Sequence, residues 1–197
     1  METRLEQQIA FLRELDKLKQ VYRQSPLMDN SRKENSAEHS WHVALAALVL
    51  APLADEPVDI NRVIKMLLLH DVVEIDAGDT FAYDPVRRLD QAAREEAAAQ
   101  RLFGLLPEAQ AAEFRALWEE FDARATADAR FAHAVDRLLP VLHNYATGGG
   151  AWKAHQLHWA HVVQRVSAIQ DGSAALWGFV AALLDDAVAQ GYLAPAP

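Results

Sequence analysis

Apolar residues recur at steps of three and four along most of this sequence, which is the spacing of helices that bury one face. Near the N-terminus the pattern runs through Leu5, Ile9 and Leu12, and similar segments rich in leucine and alanine follow it. No stretch of useful length alternates between apolar and polar residues, as a half-buried strand would. The sequence therefore predicts an all-α fold, a helical bundle without a substantial sheet.

Short polar residues mark where several of these helices are expected to begin. Ser36, Asp59 and Thr126 each precede an apolar periodic segment, and side chains of these types accept hydrogen bonds from the free N–H groups of a first helical turn. Gly78 is the expected breaker in a loop over 75–85. The helix that begins at Ser36 is expected to bury Trp41, Ala44, Leu45 and Leu48.

The composition is that of a globular protein, because 51% of the residues are hydrophobic and glycine and proline are sparse, with 8 of each in 197 residues. No internal repeat and no linker divides the sequence. We therefore expect a single domain over residues 1–197.

Charge and cysteine usage exclude several classes of function. The chain has no cysteine, which excludes disulfides, zinc fingers and thiol nucleophiles. Its net charge of −9 is not the footprint of a protein that binds nucleic acid duplexes, although a local cluster of a metal and arginines still suits a small anionic substrate. No apolar run approaches the roughly 20 residues of a membrane span and no secretory signal is recognisable, so a cytoplasmic protein is expected.

Polar residues interrupt the apolar helices at three places. His39 lies one turn into the helix after Ser36, His70 and Asp71 directly follow four apolar residues, and Asp136 lies within another apolar segment. Taken singly, each is more readily explained by a hydrogen-bonded pair in the core, because a buried charge is costly unless it is paired or bound. Three such places together favour a shared divalent metal, since imidazole and carboxylate ligands suit cations of this class.

Glu74 adds a second carboxylate near the His-Asp pair. It lies four residues after His70 and three after Asp71, so a continuous helix would place all three on neighbouring parts of one face. One turn of helix would then present an imidazole and two carboxylates to the same region.

A histidine, a distant His-Asp pair and a further aspartate, all on predicted helices, resemble the pattern of the HD superfamily of metal-dependent phosphohydrolases. Pro26–Ser40 (PLMDNSRKENSAEHS) and His70–Glu74 (HDVVE), with Gly78-Asp79 after it, are similar to the bacterial 5′-deoxynucleotidase branch. The resemblance covers about residues 15–142, the motif core, and helices expected over 155–191 would pack on it.

The resemblance implies an activity and a set of site residues. The implied activity is hydrolysis of a phosphomonoester, above all a nucleoside 5′-monophosphate, by a homodimer with a divalent cation (Mn, Co, Fe, Zn or Mg). Glu74 would position or deprotonate the attacking water, Arg23 would bind phosphate, and Asp79 would hold a sugar hydroxyl. The implied metal ligands are His39, His70, Asp71 and Asp136.

The resemblance also implies how many metals are bound. Dinuclear members of the superfamily use further histidines between the His-Asp pair and the last aspartate, whereas this chain has only His133 there. One metal ion is therefore expected, and His133, three residues before Asp136, is placed to support a ligand.

Two departures leave the substrate open. The family's nucleotidases have a tryptophan after the phosphate-binding arginine, where this chain has Gln24. After Asp79 the chain continues with Phe81, Tyr83 and Asp84 in place of the usual sequence. The preference for deoxynucleosides is therefore undecided at this point.

Two other functions remain as alternatives. One is a non-catalytic module that binds nucleotides and keeps the HD scaffold, and the other is an HD oxygenase, which needs two irons and additional histidines. Arg32 has two equal interpretations, contact with the phosphate or pairing with a surface acid such as Glu34.

Overall fold

The computed structural model describes residues 3–84 and 86–196, and helices dominate these two ranges. The predicted all-α fold class is confirmed. Short 3-10 helices over Asp16–Gln20, Ala51–Leu53 and Ser167–Asp171 extend some of the α-helices. The α-helices and strands are α1 (Arg4–Leu15), β1 (Tyr22–Pro26), β2 (Lys33–Asn35), α2 (Ser36–Leu50), α3 (Ile60–Leu69), α4 (Glu74–Ala77), α5 (Gln91–Phe103), α6 (Glu108–Ala123), α7 (Ala127–Ala146), α8 (Gly150–Ala154), α9 (Trp159–Val166) and α10 (Ala174–Ala189).

The N-caps of α3 and α7 are the predicted ones, but that of α2 is not. Asp59 and Thr126 accept hydrogen bonds from backbone N–H groups of the first turns of their helices. At α2 the cap is Asn35, whose side chain accepts from the Glu38 N–H at 3.0 Å while the Glu38 carboxylate accepts from the Asn35 N–H at 3.2 Å. This reciprocal capping makes Ser36 the first helical residue and leaves its hydroxyl free to point inward.

A small hairpin, which the sequence did not predict, precedes α2. Strands β1 and β2 pair antiparallel, with Tyr22 opposite Asn35 and Pro26 opposite Lys33. The strands have five and three residues and pair only with each other in the described chain. Such short strands give no recognisable alternation of apolar and polar residues in the sequence. The hairpin matters because Arg23 and Glu34 lie on it, one on each strand.

The core is built around α3 and α7. Helix α3 packs against α2, α6 and α7, and its Val63, Met66 and Leu67 are fully buried. Helix α7 is buried over most of its length, including the segment that carries Asp136. Pro140 has no N–H group to donate to the carbonyl of Asp136 four residues earlier, so the regular hydrogen bonding of α7 is interrupted there.

The burial predicted for α2 is wrong for three of its four residues. Ala44 is buried, but Trp41 is 61% exposed, and Leu45 and Leu48 are exposed as well. Helix α2 is apolar on nearly every side, so periodicity alone does not show which side faces inward. The inward side is the one that carries His39.

Within the part of the chain that the structure describes, none of the helices combines the length and the apolar character that crossing a bilayer would take.

Candidate active site

The His-Asp pair lies at a break between two helices, not within one. The predicted continuous helix is wrong here, because α3 ends at Leu69 and α4 begins at Glu74. In between, the Val72 N–H donates to the carbonyl of Leu69 and the Glu74 N–H to that of Asp71, at 3.1 and 3.0 Å. These are the tighter bonds of a 3-10 turn. The turn aims His70, Asp71 and Glu74 at one cavity.

Three of the predicted ligands converge in the core. His39 on α2, His70 and Asp136 on α7 are all buried, and one nitrogen or oxygen of each lies within 4.8 Å of those of the others. The Nε2 atom of His39 is 2.9 Å from Oδ1 of Asp136, and Nε2 of His70 is 3.6 Å from the same oxygen. The fourth predicted ligand, Asp71, contacts the cluster at His70, where Oδ1 of Asp71 lies 3.1 Å from Nε2 of His70. The chain thus brings all four together.

The tautomer of His70 points to a cation in this cluster. Its Nδ1 atom is 2.8 Å from the carbonyl oxygen of Leu67, which only accepts, so Nδ1 carries the hydrogen. Its Nε2 lone pair then faces the carboxylates of Asp71 and Asp136, and this buried atom has no hydrogen-bond partner. An acceptor surrounded by acceptors is satisfied by a metal ion, and without one by a proton.

The electrostatics of the cluster agree with this. Although burial opposes a charged imidazole, the carboxylates of Asp71 and Asp136 raise the pKa of His70 to about 9. Burial also works against an ionised Asp136, yet the charge of Arg137 and the neighbouring imidazoles of His39 and His70 keep its pKa well below the usual value. The cluster therefore attracts positive charge, and its donor set fits a divalent cation.

Glu34 is the site residue that the sequence interpretation missed. Its side chain is 2% exposed, and Oε2 lies 3.4 Å from Nδ1 of His39, the nitrogen that points away from the cluster. Of the two interpretations of Arg32, pairing with a surface acid is the one observed, but the acid is Glu38, at 2.8 and 2.5 Å, and not Glu34. Carboxylates in this position orient a metal-binding histidine. The charged neighbours of Glu34 gave no signal that it is buried.

Glu34 also belongs to a second group of side chains. One ligand atom each of Glu34, His42 and His143 lies within 4.8 Å of the others. The Nδ1 atom of His143 is 3.8 Å from Oε2 of Glu34, and Nε of Arg23 is 3.6 Å from the same oxygen. Nitrogens of His39, Arg23 and His143 thus surround one oxygen of Glu34 at 3.4–3.8 Å, and the group lies behind His39.

Glu74 and Asp79 reach the same cavity from α4 and the loop after it. Glu74 is buried and accepts a hydrogen bond of 2.6 Å from the hydroxyl of Ser36. Burial and the nearby charge of Asp71 raise its pKa well above that of an ordinary glutamate. Burial likewise raises the pKa of Asp79. Gly78, the predicted breaker, ends α4 with φ of +72°, which returns the chain so that Asp79 lines the cavity.

Arg23 flanks the cluster from the hairpin. Its Nη1 donates to Oδ2 of Asp71 at 2.8 Å, and its side chain is 15% exposed. Burial works against its charge, but the carboxylates of Asp71 and Glu74 raise its pKa above the usual value. One guanidinium group is therefore fixed beside the cluster, with donors left over for a ligand.

His133 supports the cluster indirectly. Its Nε2 lies 2.9 Å from the carbonyl oxygen of Phe121, and its ring stacks on that of Phe121 at 4.0 Å. Burial lowers the pKa of His133 to about 3, so the ring is neutral. The ring of Phe121 in turn lies 4.9 Å from that of His70. His133 thus acts through Phe121 rather than by bonding Asp136.

The cluster opens into a cavity of about 220 Å³, which the predicted catalytic and substrate residues line. Gln24 lies in its wall where the tryptophan of the related nucleotidases was expected. The aromatic surface comes instead from the loop after Asp79, where the ring of Phe81 lies 5.3 Å from that of Tyr83 and 4.1 Å from that of His155. The unpredicted residues of the wall include Trp118, Arg137, Trp152 and Arg165.

Comparison with known sequences places these features in a family. The family model of the HD domain matches residues 15–177. The chain is 34% identical over 135 residues to 5′-deoxynucleotidase HDDC2 of Bos taurus, covering 68% of this chain and 64% of that protein. It is 30% identical over 148 residues to a 5′-deoxynucleotidase of Yersinia pestis (strain Pestoides F), covering 70% and 75%. The chain thus spans less than two thirds of the cattle relative.

A solved structure is similar over almost the whole chain. It is the crystal structure of a protein from Magnetospirillum magnetotacticum MS-1 that is described as a predicted metal-dependent phosphohydrolase. The TM-score is 0.95 at 56% sequence identity, and the alignment covers 98% of this chain and 97% of the other. Because the family model matches far more than half of the sequence, this chain belongs to the HD-domain family.

Proposed function

We propose that the protein is a metal-dependent phosphohydrolase that cleaves phosphomonoesters, with nucleoside 5′-monophosphates as the substrate class. The observation that carries the proposal is the buried convergence of His39, His70, Asp71 and Asp136 beside a buried carboxyl, Glu74. The relatives named 5′-deoxynucleotidases and the structural neighbour described as a phosphohydrolase support it.

In this proposal His39, His70, Asp71 and Asp136 hold one divalent cation. The unsatisfied Nε2 of His70 between two carboxylates supports the assignment. When bound, such a cation neutralises charge on a phosphate and lowers the pKa of a water molecule. Glu34 keeps His39 in the orientation that presents Nε2 to the cluster.

Glu74 is the proposed base. Its raised pKa makes its carboxylate a better proton acceptor than an ordinary glutamate, and the hydroxyl of Ser36 fixes one of its oxygens. The Asn35 cap contributes to this arrangement, because it places Ser36 in the first turn of α2 with its hydroxyl turned inward. The remaining oxygen of Glu74 can then orient a water molecule for in-line attack on phosphorus.

Arg23 and Asp79 are the proposed substrate contacts. Arg23 donates one N–H to Asp71 and keeps others for phosphate oxygens, whose geometry matches a planar guanidinium. Asp79 lines the same cavity as Phe81 and Tyr83, which supports a contact between its carboxyl group and a sugar hydroxyl. Burial of nucleobase surface against these rings would replace the contact with the missing tryptophan.

The test is a substrate panel with the metal-loaded wild type beside Glu74→Ala. We expect phosphate release from one or more nucleoside monophosphates, measured in deoxy and ribo pairs with Mn²⁺ or Co²⁺. The variant should keep its metal and lose on the order of 10²–10⁴-fold in turnover. Equal turnover would refute the role of Glu74. Thermal stabilisation by a nucleotide without phosphate release from any substrate would instead favour the non-catalytic module.

We also propose that the chain forms one HD-type domain and assembles as a homodimer. A shared hydrophobic core that extends from Phe11 on α1 to Leu193 after α10 supports one domain. The exposed apolar side of α2, with Trp41, Leu45, Leu48 and Val49, supports an interface with a second copy. Light scattering should give twice the mass of one chain, and Val49→Glu should shift it toward the monomer. A monomeric wild type would contradict the dimer.

A further inference from the structure

Two arginines, Arg137 and Arg165, line the cavity into which the proposed metal site opens; this site, His39, His70, Asp71 and Asp136, is called the metal cluster below. Arg137 follows Asp136 on α7, and its side chain is 19% exposed. Arg165 is half-buried on α9, where it faces the same cavity. Among the residues that the structure describes, Arg165 forms no salt bridge within 4.0 Å, whereas Arg137 has one long contact of 3.5 Å, to Oδ2 of Asp136. The site proposed above uses neither side chain.

The order of the contacts separates these arginines from Arg23. Arg23 contacts Asp71, Asp71 contacts His70, His70 contacts Asp136, and Asp136 contacts Arg137, at 2.8, 3.1, 3.6 and 3.5 Å. The metal cluster therefore has a guanidinium group at each end of this row. Arg23 is the one assigned to the phosphate that is cleaved, which leaves Arg137 and its neighbour Arg165 for a different anion.

The two arginines are poorly compensated where they lie. Burial and the charge of Arg137 lower the pKa of Arg165 to about 9. Asp136, the carboxylate in contact with Arg137, is also a proposed metal ligand. Buried charges are usually paired or hydrogen-bonded, so two guanidinium groups with so few contacts in one cavity favour an anionic ligand.

A tyrosine completes the surroundings. Tyr83 lines the same cavity, and burial raises its pKa to about 12, so its hydroxyl stays protonated and can donate a hydrogen bond to an oxyanion. The charges of Arg165 and Arg137 both act on this hydroxyl. Two planar guanidinium groups and one hydroxyl are the donors by which proteins recognise phosphate and carboxylate groups.

We propose that Arg137 and Arg165 form a second oxyanion subsite, which binds a phosphate or carboxylate group of the substrate other than the phosphate that is cleaved. The inference rests on the proposed function, because it assumes that a phosphomonoester occupies the metal cluster. It narrows the substrate class to phosphomonoesters that carry a second anionic group.

The test compares ligands that differ by one anionic group. One pair is a ribonucleoside 5′-monophosphate and its 2′,5′-bisphosphate, which keeps the 3′-hydroxyl available for Asp79, and the other is glycerol 3-phosphate and 3-phosphoglycerate. Binding is measured by calorimetry on metal-loaded Glu74→Ala, in which the ligands are not consumed. We expect the ligand with the second anion to bind about tenfold more tightly or better in at least one pair. The pair that shows this preference distinguishes phosphate from carboxylate.

Variants assign the preference to its residues. Adding Arg165→Gln to Glu74→Ala should abolish most of the preference for the ligand with the second anion. It should change the affinity for the singly anionic ligand by less than about twofold. Arg23→Gln should weaken both ligands of a pair alike. Arg88→Gln is the matched control, because Arg88 is exposed and its charge acts on Arg165 without contact with the cavity. Thermal unfolding of each variant checks that it is folded.

The outcomes separate this inference from the proposed function. A ratio of dissociation constants near one in both ligand pairs would overturn the second subsite. Equal weakening of both ligands of a pair by Arg165→Gln would overturn it as well. Phosphate release by the wild type under that result would leave the proposed function standing. The expected preference without release from any substrate would instead overturn the proposed function and support a binding site.

Discussion

The two ends of the cavity treat charge in opposite ways. At the metal cluster, carboxylates and imidazoles alternate and each histidine is fixed by a neighbour, His70 by the carbonyl of Leu67 and His39 by Glu34. Arg137 and Arg165 line the same cavity, and in the described chain the only salt-bridge contact of the two is the 3.5 Å one between Arg137 and Asp136. The first end is organised to receive a cation and the second an anion. A substrate that occupies both ends would have two separate anionic groups, one at the metal cluster and one at the two arginines.

The largest effect is expected from removing a histidine of the metal cluster. His70→Ala deletes the nitrogen that lies between Asp71 and Asp136, and it leaves two buried carboxylates facing each other. We expect bound metal to fall to background and turnover to fall by on the order of 10³-fold or more. Metal content by mass spectrometry and phosphate release measure the two effects.

The control for this prediction is His161→Ala, which changes an exposed histidine on α9. It should keep its metal and its activity. Full metal content in His70→Ala would show that His70 is not a ligand. The assignment of one end of the cavity to a cation would then lose its main support.

A smaller effect is expected from the residue that orients His39. Glu34→Gln keeps the shape of the side chain but weakens the interaction with Nδ1 of His39. We expect metal affinity to fall about 10–100-fold, measured by competition with a chelator, and turnover to recover at saturating metal. This recovery separates a positioning role from a ligand role.

Glu38→Gln is the matched control, since Glu38 lies on the same segment but is paired with Arg32 at the surface. Its metal affinity should equal that of the wild type. Equal weakening by both substitutions would show that local folding of α2, and not the orientation of His39, limits metal binding.

The two ends also differ in how far the sequence predicts them. The proposed ligands could be predicted because a histidine or aspartate in an apolar helix is costly and because the spacing resembles a family pattern. Arg165 carries no such signal, since an arginine on an amphipathic helix is ordinary, and only tertiary packing brings α9 against α7. Glu34 resembled a surface residue because Arg32 and Lys33 precede it.

The same reasoning explains which parts of the fold were predicted. Helical periodicity indicated the class, and the capping residues Asp59 and Thr126 marked two helix starts. The break after Leu69 was not visible, since residues 70–73 are as compatible with a helix as their neighbours, and the side on which α2 is buried depends on its partners. Local rules predict elements, whereas the turn that aims Glu74 depends on tertiary contacts.

The smallest effect is a gain in stability at the basic end. Arg165→Met keeps the apolar stem of the side chain and removes a charge that burial and Arg137 make unfavourable. In the absence of ligand we expect the free energy of unfolding, measured with urea, to rise by about 0.5–1 kcal/mol. Arg23→Met at the acidic end should lower it instead, because it removes the hydrogen bond to the buried Asp71. A loss of stability in both variants would mean that Arg165, like Arg23, is compensated by groups of the protein. The two ends of the cavity would then not differ in how their arginines are stabilised.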